Sequence, residues 1–402
     1  MFNLEEFISQ NVTKRNKSLF NDDIEKNNEE LKSSICGKSV LVIGGAGSIG
    51  SSFIKAVLPF HPSSLVVVDI NENALTELTR DLRSTDGLFV PEEYITYPID
   101  YASKTFEKMF KARKGFDIVA NFSAHKHVRS EKDIFSVEAM LCNNVINAQK
   151  LLEALCQYPP NTYFCVSTDK AANPVNIMGA SKRIMEDLIF SYSDRFEVKT
   201  ARFANVAFSN GSLPAGFLER INRAQPLSTP NDVKRYFVSP KESGEICMLA
   251  CALGRNREIF FPKLAEEQMM GFDTIAVMLL EELGYKALEC SCEKEAFEAI
   301  KAVKGGSDKY PILISASNTS GEKPYEEFFV DGESVDFNRF GSLGVITDKQ
   351  ITEAERIKTL CSKLVEEFDA EQPSKERVVQ ILSDYLPNFK HIETGKSLDS
   401  KM

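Results

Sequence analysis

A fully apolar stretch, Val40-Leu-Val-Ile43, runs directly into Gly44-Gly-Ala-Gly47-Ser-Ile-Gly50, and Ser51–Leu58 after it has helical character. Few architectures accept four glycines in seven positions between a buried strand and a helix. The backbone must turn tightly, and one face must stay bare so that a pyrophosphate can approach the helix N-terminus. Counted from Gly44 the run reads Gly-x-x-Gly-x-x-Gly, and counted from Gly45 it contains Gly-x-Gly-x-x-Gly. Gly44, Ala46, Gly47, Ser48, Ile49 and Gly50 are therefore expected to cradle a dinucleotide.

Beyond the glycines the chain alternates. Leu65-Val-Val-Val-Asp69 is a second apolar strand, ending in an acid 19 residues after Gly50. A carboxylate there accepts hydrogen bonds from the adenosine ribose and repels a 2′-phosphate, so Asp69, with Ile70 beside it, leans the cofactor toward NAD over NADP. The plainer use of Asp69 is to cap the helix expected over Glu72–Arg83. Tyr94–Ile99 ending in Asp100, Ile118–Phe122 ending in Ser123-Ala124, Tyr163–Ser167 and Val198–Phe203 continue the pattern. Strands alternating with helices predict an α/β fold, a Rossmann-type doubly wound parallel sheet with ligands at the strand C-termini. Asp100 and Ser123 then face the crevice.

At 402 residues the chain exceeds the ~250–300 at which one core stops growing, so a second, smaller lobe is expected. Its formal net charge of -10, with no Lys/Arg block, argues against a nucleic-acid surface. An anionic ligand must then be met by a few local cations and helix N-termini. Nine cysteines without zinc or redox spacing point to idle thiols in a reducing cytoplasm. Four dispersed histidines suggest no metal site, and no run of about 18 apolar residues would span a membrane.

The chemistry is expected between Ser167 and Arg183. Tyr163–Ser167 delivers Thr168, Asp169 and Lys170 to a strand end, Asn173-Pro174 breaks the chain, and Met178–Phe190 is helical with Lys182 one turn in. An Asp-Lys pair facing a helix with a second lysine is an acid/base arrangement on rigid supports; the plainer reading is a strand-loop-helix with surface charges.

With Asn121-Phe-Ser-Ala-His-Lys-His-Val128, Ser167-Thr-Asp-Lys170, Asn173-Pro-Val-Asn-Ile-Met-Gly-Ala-Ser-Lys182, Arg202-Phe-Ala-Asn-Val206 and Lys234-Arg-Tyr-Phe237, residues 38 to 265 resemble the extended short-chain dehydrogenase/reductases. Within them the chain is similar to the UDP-N-acetylglucosamine 4,6-dehydratases. The resemblance implies a tightly bound, recycled NAD that oxidises the sugar at C4, loss of water across C5 and C6, and hydride return to C6. It makes Asp169 the acid for the C6 hydroxyl, Lys170 the base at C5 and Lys182 a partner of the nicotinamide ribose. Thr168 would bond the sugar near C4. Ser123, Ala124, Asn144 and Ser167 fall with the cofactor contacts, and Asn205 and Arg235 fit the diphosphate of a UDP-sugar, a solvated Arg235 being the alternative. Lys126, beside His125 and His127, either lines the site or caps a helix.

Met178 departs from the pattern. In the Tyr-x-x-x-Lys pair of these enzymes the tyrosine takes the hydroxyl proton as hydride leaves, and a thioether cannot ionise. Asp169, directly or through water, with Lys182 assisting, is the expected substitute; a helix that has lost its catalytic face, with Met178 as core filler, is the alternative. Methionine here resembles the branch that keeps the C5 configuration, giving the D-xylo ketone. Residues 1–37 read as a helical extension or a disordered tail, 38–208 with 240–263 as the NAD domain, and 209–239 with 264–402 as the substrate-binding and C-terminal lobe. A cytoplasmic homo-oligomer is expected. The rivals are a nucleotide-sugar 4-epimerase, which has no use for Asp169 and Lys170, and a dinucleotide sensor with a dead site.

Overall fold

The computed structural model describes residues 2–317, 325, 327–347 and 349–392. Six strands rich in β-branched residues, β1 (Ser39–Ile43), β2 (Ser64–Asp69), β3 (Glu93–Pro98), β4 (Ile118–Asn121), β5 (Thr162–Val166) and β6 (Glu197–Ala201), lie parallel in the order β3-β2-β1-β4-β5-β6. Glu258–Pro262 joins β6 as a seventh parallel strand. Helices cover both faces, which is why β1, β2 and β5 read as continuous apolar runs instead of alternating ones. The strand order reverses between β1 and β4, and the crevice at that reversal receives the glycine run.

Close helix packing holds the run in place. The Pro240–Leu253 helix crosses the Ser48–Val57 helix at Gly244, where a Cβ would overlap the backbone of Ser52 and Phe53. Backbone cannot move aside as a side-chain tip can, so Gly244→Ala is expected to cost about 3 kcal/mol, read as a lower denaturant midpoint at unchanged slope.

The smaller lobe is a three-stranded parallel sheet of Lys286–Cys290, Lys309–Ser315 and Leu227–Pro230. Leu213–Asn222, Phe272–Glu282 and Glu293–Lys304 are its helices, and Phe217, Ile275, Leu279, Ile300 and Ile312 its core. The first 35 residues clasp both lobes. Phe7, Ile8 and Val12 enter the smaller core, whereas Phe20, Leu31 and Ile35 enter the main one. Between them Arg15 bonds both carboxylate oxygens of Glu242, at 2.9 and 2.8 Å.

Residues 264–402 do not all join the smaller lobe, as the sequence reading had them. Leu343–Thr347 pairs antiparallel with Glu258–Pro262, and Ser334–Asp336 pairs outside it, completing a nine-stranded sheet. Ala354–Phe368 and Lys375–Tyr385 bury Ile357, Leu360, Leu364, Val378 and Leu382 in the main core, the first of them against the Ile177–Phe190 helix. The physical reason is the sheet edge: Glu258–Pro262 is buried along its whole length, and its unpaired backbone needs a covering strand.

Candidate active site

The glycine run is shaped to leave a helix end bare. Gly44 has φ +70°, and a Cβ there would lie 2.6 Å from the backbone nitrogen of Ser123; one on Gly50 would overlap the Gly44 carbonyl. Gly47 precedes the Ser48–Val57 helix and offers no side-chain cap, so the first amide N–H groups remain for an anion. Asp69, at the end of β2, accepts from Ala46 N at 3.1 Å and from Asn71 N at 3.0 Å. It does not cap the next helix: Asn71 does, accepting from Ala74 N. Ile70 beside it is 78% exposed, an apolar face suited to an adenine ring. These residues fit a dinucleotide. Gly50→Ala is accordingly expected to yield protein purified without bound dinucleotide, measured by the absorbance released on denaturation.

Other expected cofactor contacts divide. Asp100 is exposed just beyond β3, where its carboxylate accepts from Ala102 N at 2.8 Å. Ser123 and Ala124 follow β4 beside Gly44, partly exposed to the crevice. Asn144 acts as a clamp: its amide accepts from His125 N at 2.9 Å and donates to His125 O at 2.9 Å and to Ser181 Oγ at 3.0 Å, so the side chain expected at the cofactor holds the Ser123–Val128 loop against the Ile177–Phe190 helix. Ser167 is likewise corrected. Its hydroxyl, buried, donates to Glu186 Oε1 at 2.6 Å.

The turn after β5 brings the reactive groups together. Thr168 Oγ1 donates to Asp169 Oδ1 at 2.7 Å, and the same oxygen accepts from Lys170 N at 2.9 Å and Lys170 Nζ at 3.3 Å. Asp169 is 5% exposed, whereas Thr168 and Lys170 are only half-buried. The Ile177–Phe190 helix, capped by Asn176, lies behind the turn and carries Lys182. Lys182 is buried; its Nζ meets the thioether of Met185 at 3.4 Å. Burial pushes its ammonium down from the usual lysine range, with Cys165 and Glu186 acting the other way. Met178 contributes no reactive group: it is 3% exposed within the main core, and its backbone N–H donates to Glu131 Oε1 at 2.9 Å.

β5 lies between β4 and β6, so the turn sits between the loop bearing Lys126 and the one bearing Asn205. Both loops line a cleft of about 830 Å³ between the lobes, with Ser212, Arg220 and Thr229. Asn205 Nδ2 is buried there and, among the described residues, has no hydrogen-bond partner. Arg235, the other residue expected at the diphosphate, is buried. It is 4% exposed, in a strand paired with Met270–Gly271, and its Nη1 donates to Lys234 O at 2.9 Å, which also removes the solvated alternative.

Residues 40–347 match the family model of the polysaccharide biosynthesis proteins. The chain belongs to that family. It is thereby an extended short-chain dehydrogenase/reductase of the nucleotide-sugar dehydratase and epimerase group. A Methanocaldococcus jannaschii relative, named an uncharacterized membrane protein, is 30% identical over 86% of this chain and 96% of its own length. The probable polysaccharide biosynthesis protein EpsC of Bacillus subtilis is 28% identical over 76% of this chain, which spans 50% of the EpsC length. An inverting UDP-N-acetylglucosamine 4,6-dehydratase of Campylobacter jejuni is 24% identical, with 74% of this chain and 84% of its own covered. A UDP-glucose 4-epimerase of Rickettsia canadensis is also 24% identical, with 75% and 86% covered. Among solved structures, Pen from Bacillus thuringiensis shares the fold with a TM-score of 0.63 at 20% identity, covering 82% of this chain and 98% of its own.

In this polysaccharide biosynthesis protein, sequence reasoning passed over Arg220, Glu131 and the buried pair of Glu186 and Arg202. Arg220 gives no local signal, because its place in the cleft depends on how the smaller lobe docks. Glu186 could have been found: it lies four residues after Lys182, on the same helix face. Among the described residues no helix is long and apolar enough to cross a membrane, and none form a metal-holding cluster.

Proposed function

We propose that the chain is a UDP-N-acetylglucosamine 4,6-dehydratase that retains the C5 configuration and yields the D-xylo 4-keto-6-deoxy sugar nucleotide. The observation carrying this reading is the contact of Thr168, Asp169 and Lys170 at the end of β5, beside Lys182 and between two cleft-lining loops. A bound NAD supplies a hydride acceptor at C4 of the sugar and then the hydride for C6. The chain does the rest. Lys182 holds the nicotinamide ribose, Asn205 and the bare helix end hold phosphates, and Asp69 and Ile70 hold the adenosine. Asp169 gives a proton to the departing C6 hydroxyl, and Lys170 removes the C5 proton. Acid and base touch at 3.3 Å.

A 4-epimerase needs neither Asp169 nor Lys170 and ordinarily needs the phenol that Met178 replaces, so those residues favour the dehydratase. The proposal includes a cytoplasmic homo-oligomer, in keeping with nine free thiols. Incubating purified protein with UDP-N-acetylglucosamine, with no cofactor added, is expected to remove one water, followed by mass spectrometry. An unchanged mass with C4 inversion would establish the epimerase instead.

A further inference from the structure

We infer that Arg15, on the amino-terminal segment, is a positioning residue for the cleft: it fixes the short strand against which Asn205 stands, and so sets how tightly a nucleoside diphosphate is held. This rests on the reading above that the cleft takes a UDP-sugar. The wall concerned is slight. Phe237–Val238 pairs in parallel with Asn205–Val206, Asn205 N donating to Tyr236 O at 3.1 Å and Ala207 N to Val238 O at 2.9 Å. Strands so short cannot offset the entropy of ordering them without support from outside. Yet Asn205, Val206 and Phe237 all line the cleft.

The support comes from the other edge. Successive carbonyls along a strand point to opposite sides, so while Tyr236 O and Val238 O turn toward Asn205 and Ala207, Phe237 O turns away. Arg15 meets it there. Its Nη2 donates to Phe237 O at 3.1 Å, and the same guanidinium bonds both oxygens of Glu242, through Nε at 2.9 Å and Nη2 at 2.8 Å. Glu242, whose side chain is 2% exposed, accepts in turn from Leu19 N at 2.9 Å and from Ser239 N, the residue after Val238, at 2.7 Å. One planar fork therefore grips the strand directly at Phe237 and, through Glu242, at Ser239. Phe7, Ile8 and Val12 anchor the segment in the smaller lobe's core and Phe20 anchors it in the main one, so Arg15 is held where the segment passes between them. Arg15 itself lies outside the cleft lining, and its effect must pass through the strand.

The probe is UDP, which carries the diphosphate and no sugar to convert, titrated by calorimetry into the full chain with its dinucleotide bound. Arg15→Ala is expected to bind UDP about tenfold more weakly, as one misplaced hydrogen bond to a charged group allows. Its dinucleotide content should not change, and for UDP-N-acetylglucosamine KM should rise while kcat stays within about threefold. Arg15→Lys keeps the charge beside Glu242 and so the fold, but has no fork to span both acceptors, and should lose about threefold in UDP affinity. The effect should also vanish with what the wall holds: in an Asn205→Ala protein, Arg15→Ala should weaken UDP by less than about twofold more. Ser18→Ala, which removes the neighbouring contact with Glu245, should lower stability and leave UDP affinity alone. An alanine variant, or where it does not fold a lysine variant, that binds UDP as tightly as wild type overturns the inference, as does an undiminished effect in the Asn205→Ala background. A wild type that binds UDP but inverts C4 without losing water overturns the dehydratase reading alone, and one that does not bind UDP overturns the UDP-sugar reading of the cleft.

Discussion

Replacing Lys170 by Ala is expected to leave a folded protein that keeps its dinucleotide and loses dehydration by about 10³–10⁴-fold. The structural cost should be small. Lys170 is partly exposed, its ammonium pairs with Asp169, and its backbone N–H, which also bonds Asp169, survives the change. The chemical cost should be large, because the proposed reaction assigns the C5 proton to this amine. Asp169→Asn should fail as deeply for the complementary reason: an amide keeps the shape and the bond from Thr168 but cannot protonate the C6 hydroxyl. The rate of water loss by mass spectrometry checks both, and C5 exchange separates them, since only Lys170→Ala should abolish it. Either variant at full activity would remove the assigned roles.

The second large effect is on stability. Arg202→Met is expected to lower the unfolding free energy by about 3–5 kcal/mol, measured by chemical denaturation. Arg202 is fully buried and bonds Glu186 through Nε and Nη2 at 2.8 and 2.7 Å and Glu333 through Nη1 and Nη2 at 2.9 and 3.1 Å. Removing it takes the chief partner from the fully buried Glu186, which also holds Ser167 ahead of the Thr168–Lys170 turn, and leaves Glu333 to Lys349 and Arg183. Burial alone would raise Glu333, but Arg202 and Lys349 more than offset it and bring its carboxyl down to about 2. A carboxyl depressed on folding contributes stability that is fully present above its unfolded value and is lost as pH falls through the folded one. The wild type should therefore lose this support between about pH 4.5 and 2, and Arg202→Met should show a flatter dependence over that window.

The parallel core was legible because β1, β2 and β5 are buried on both faces, and such strands advertise themselves as unbroken apolar runs. The Thr168–Lys170 turn was legible as a polar unit because its three residues are consecutive, and the structure brings their side chains into contact. Leu227–Pro230 was hidden: Ser228-Thr-Pro-Asn-Asp232 reads as a loop, and a proline is tolerated there because the strand lies at the edge of its small sheet. Ser334–Asp336 is too short to announce a period. Asn144 carries the right chemistry for a ligand, and only the packing around it reveals that its side-chain hydrogen bonds point into protein.

The clasp formed by the amino-terminal residues bears on the order in which the chain can fold as it leaves the ribosome. Leu31 and Ile35 lie on a helix, Asn28–Ile35, that packs chiefly on Pro240–Leu253, and Phe7 meets Phe208 edge-on at 5.9 Å, so both halves of the clasp close on residues about 200 positions later. The remaining neighbours of Phe7 extend to Ile312. Residues 4–12 must wait for distant pieces of their core, so they close over a long loop and at a correspondingly late moment. Pulse-labelled hydrogen exchange during refolding should find the amides of residues 4–12 protected after those of β1 and β4.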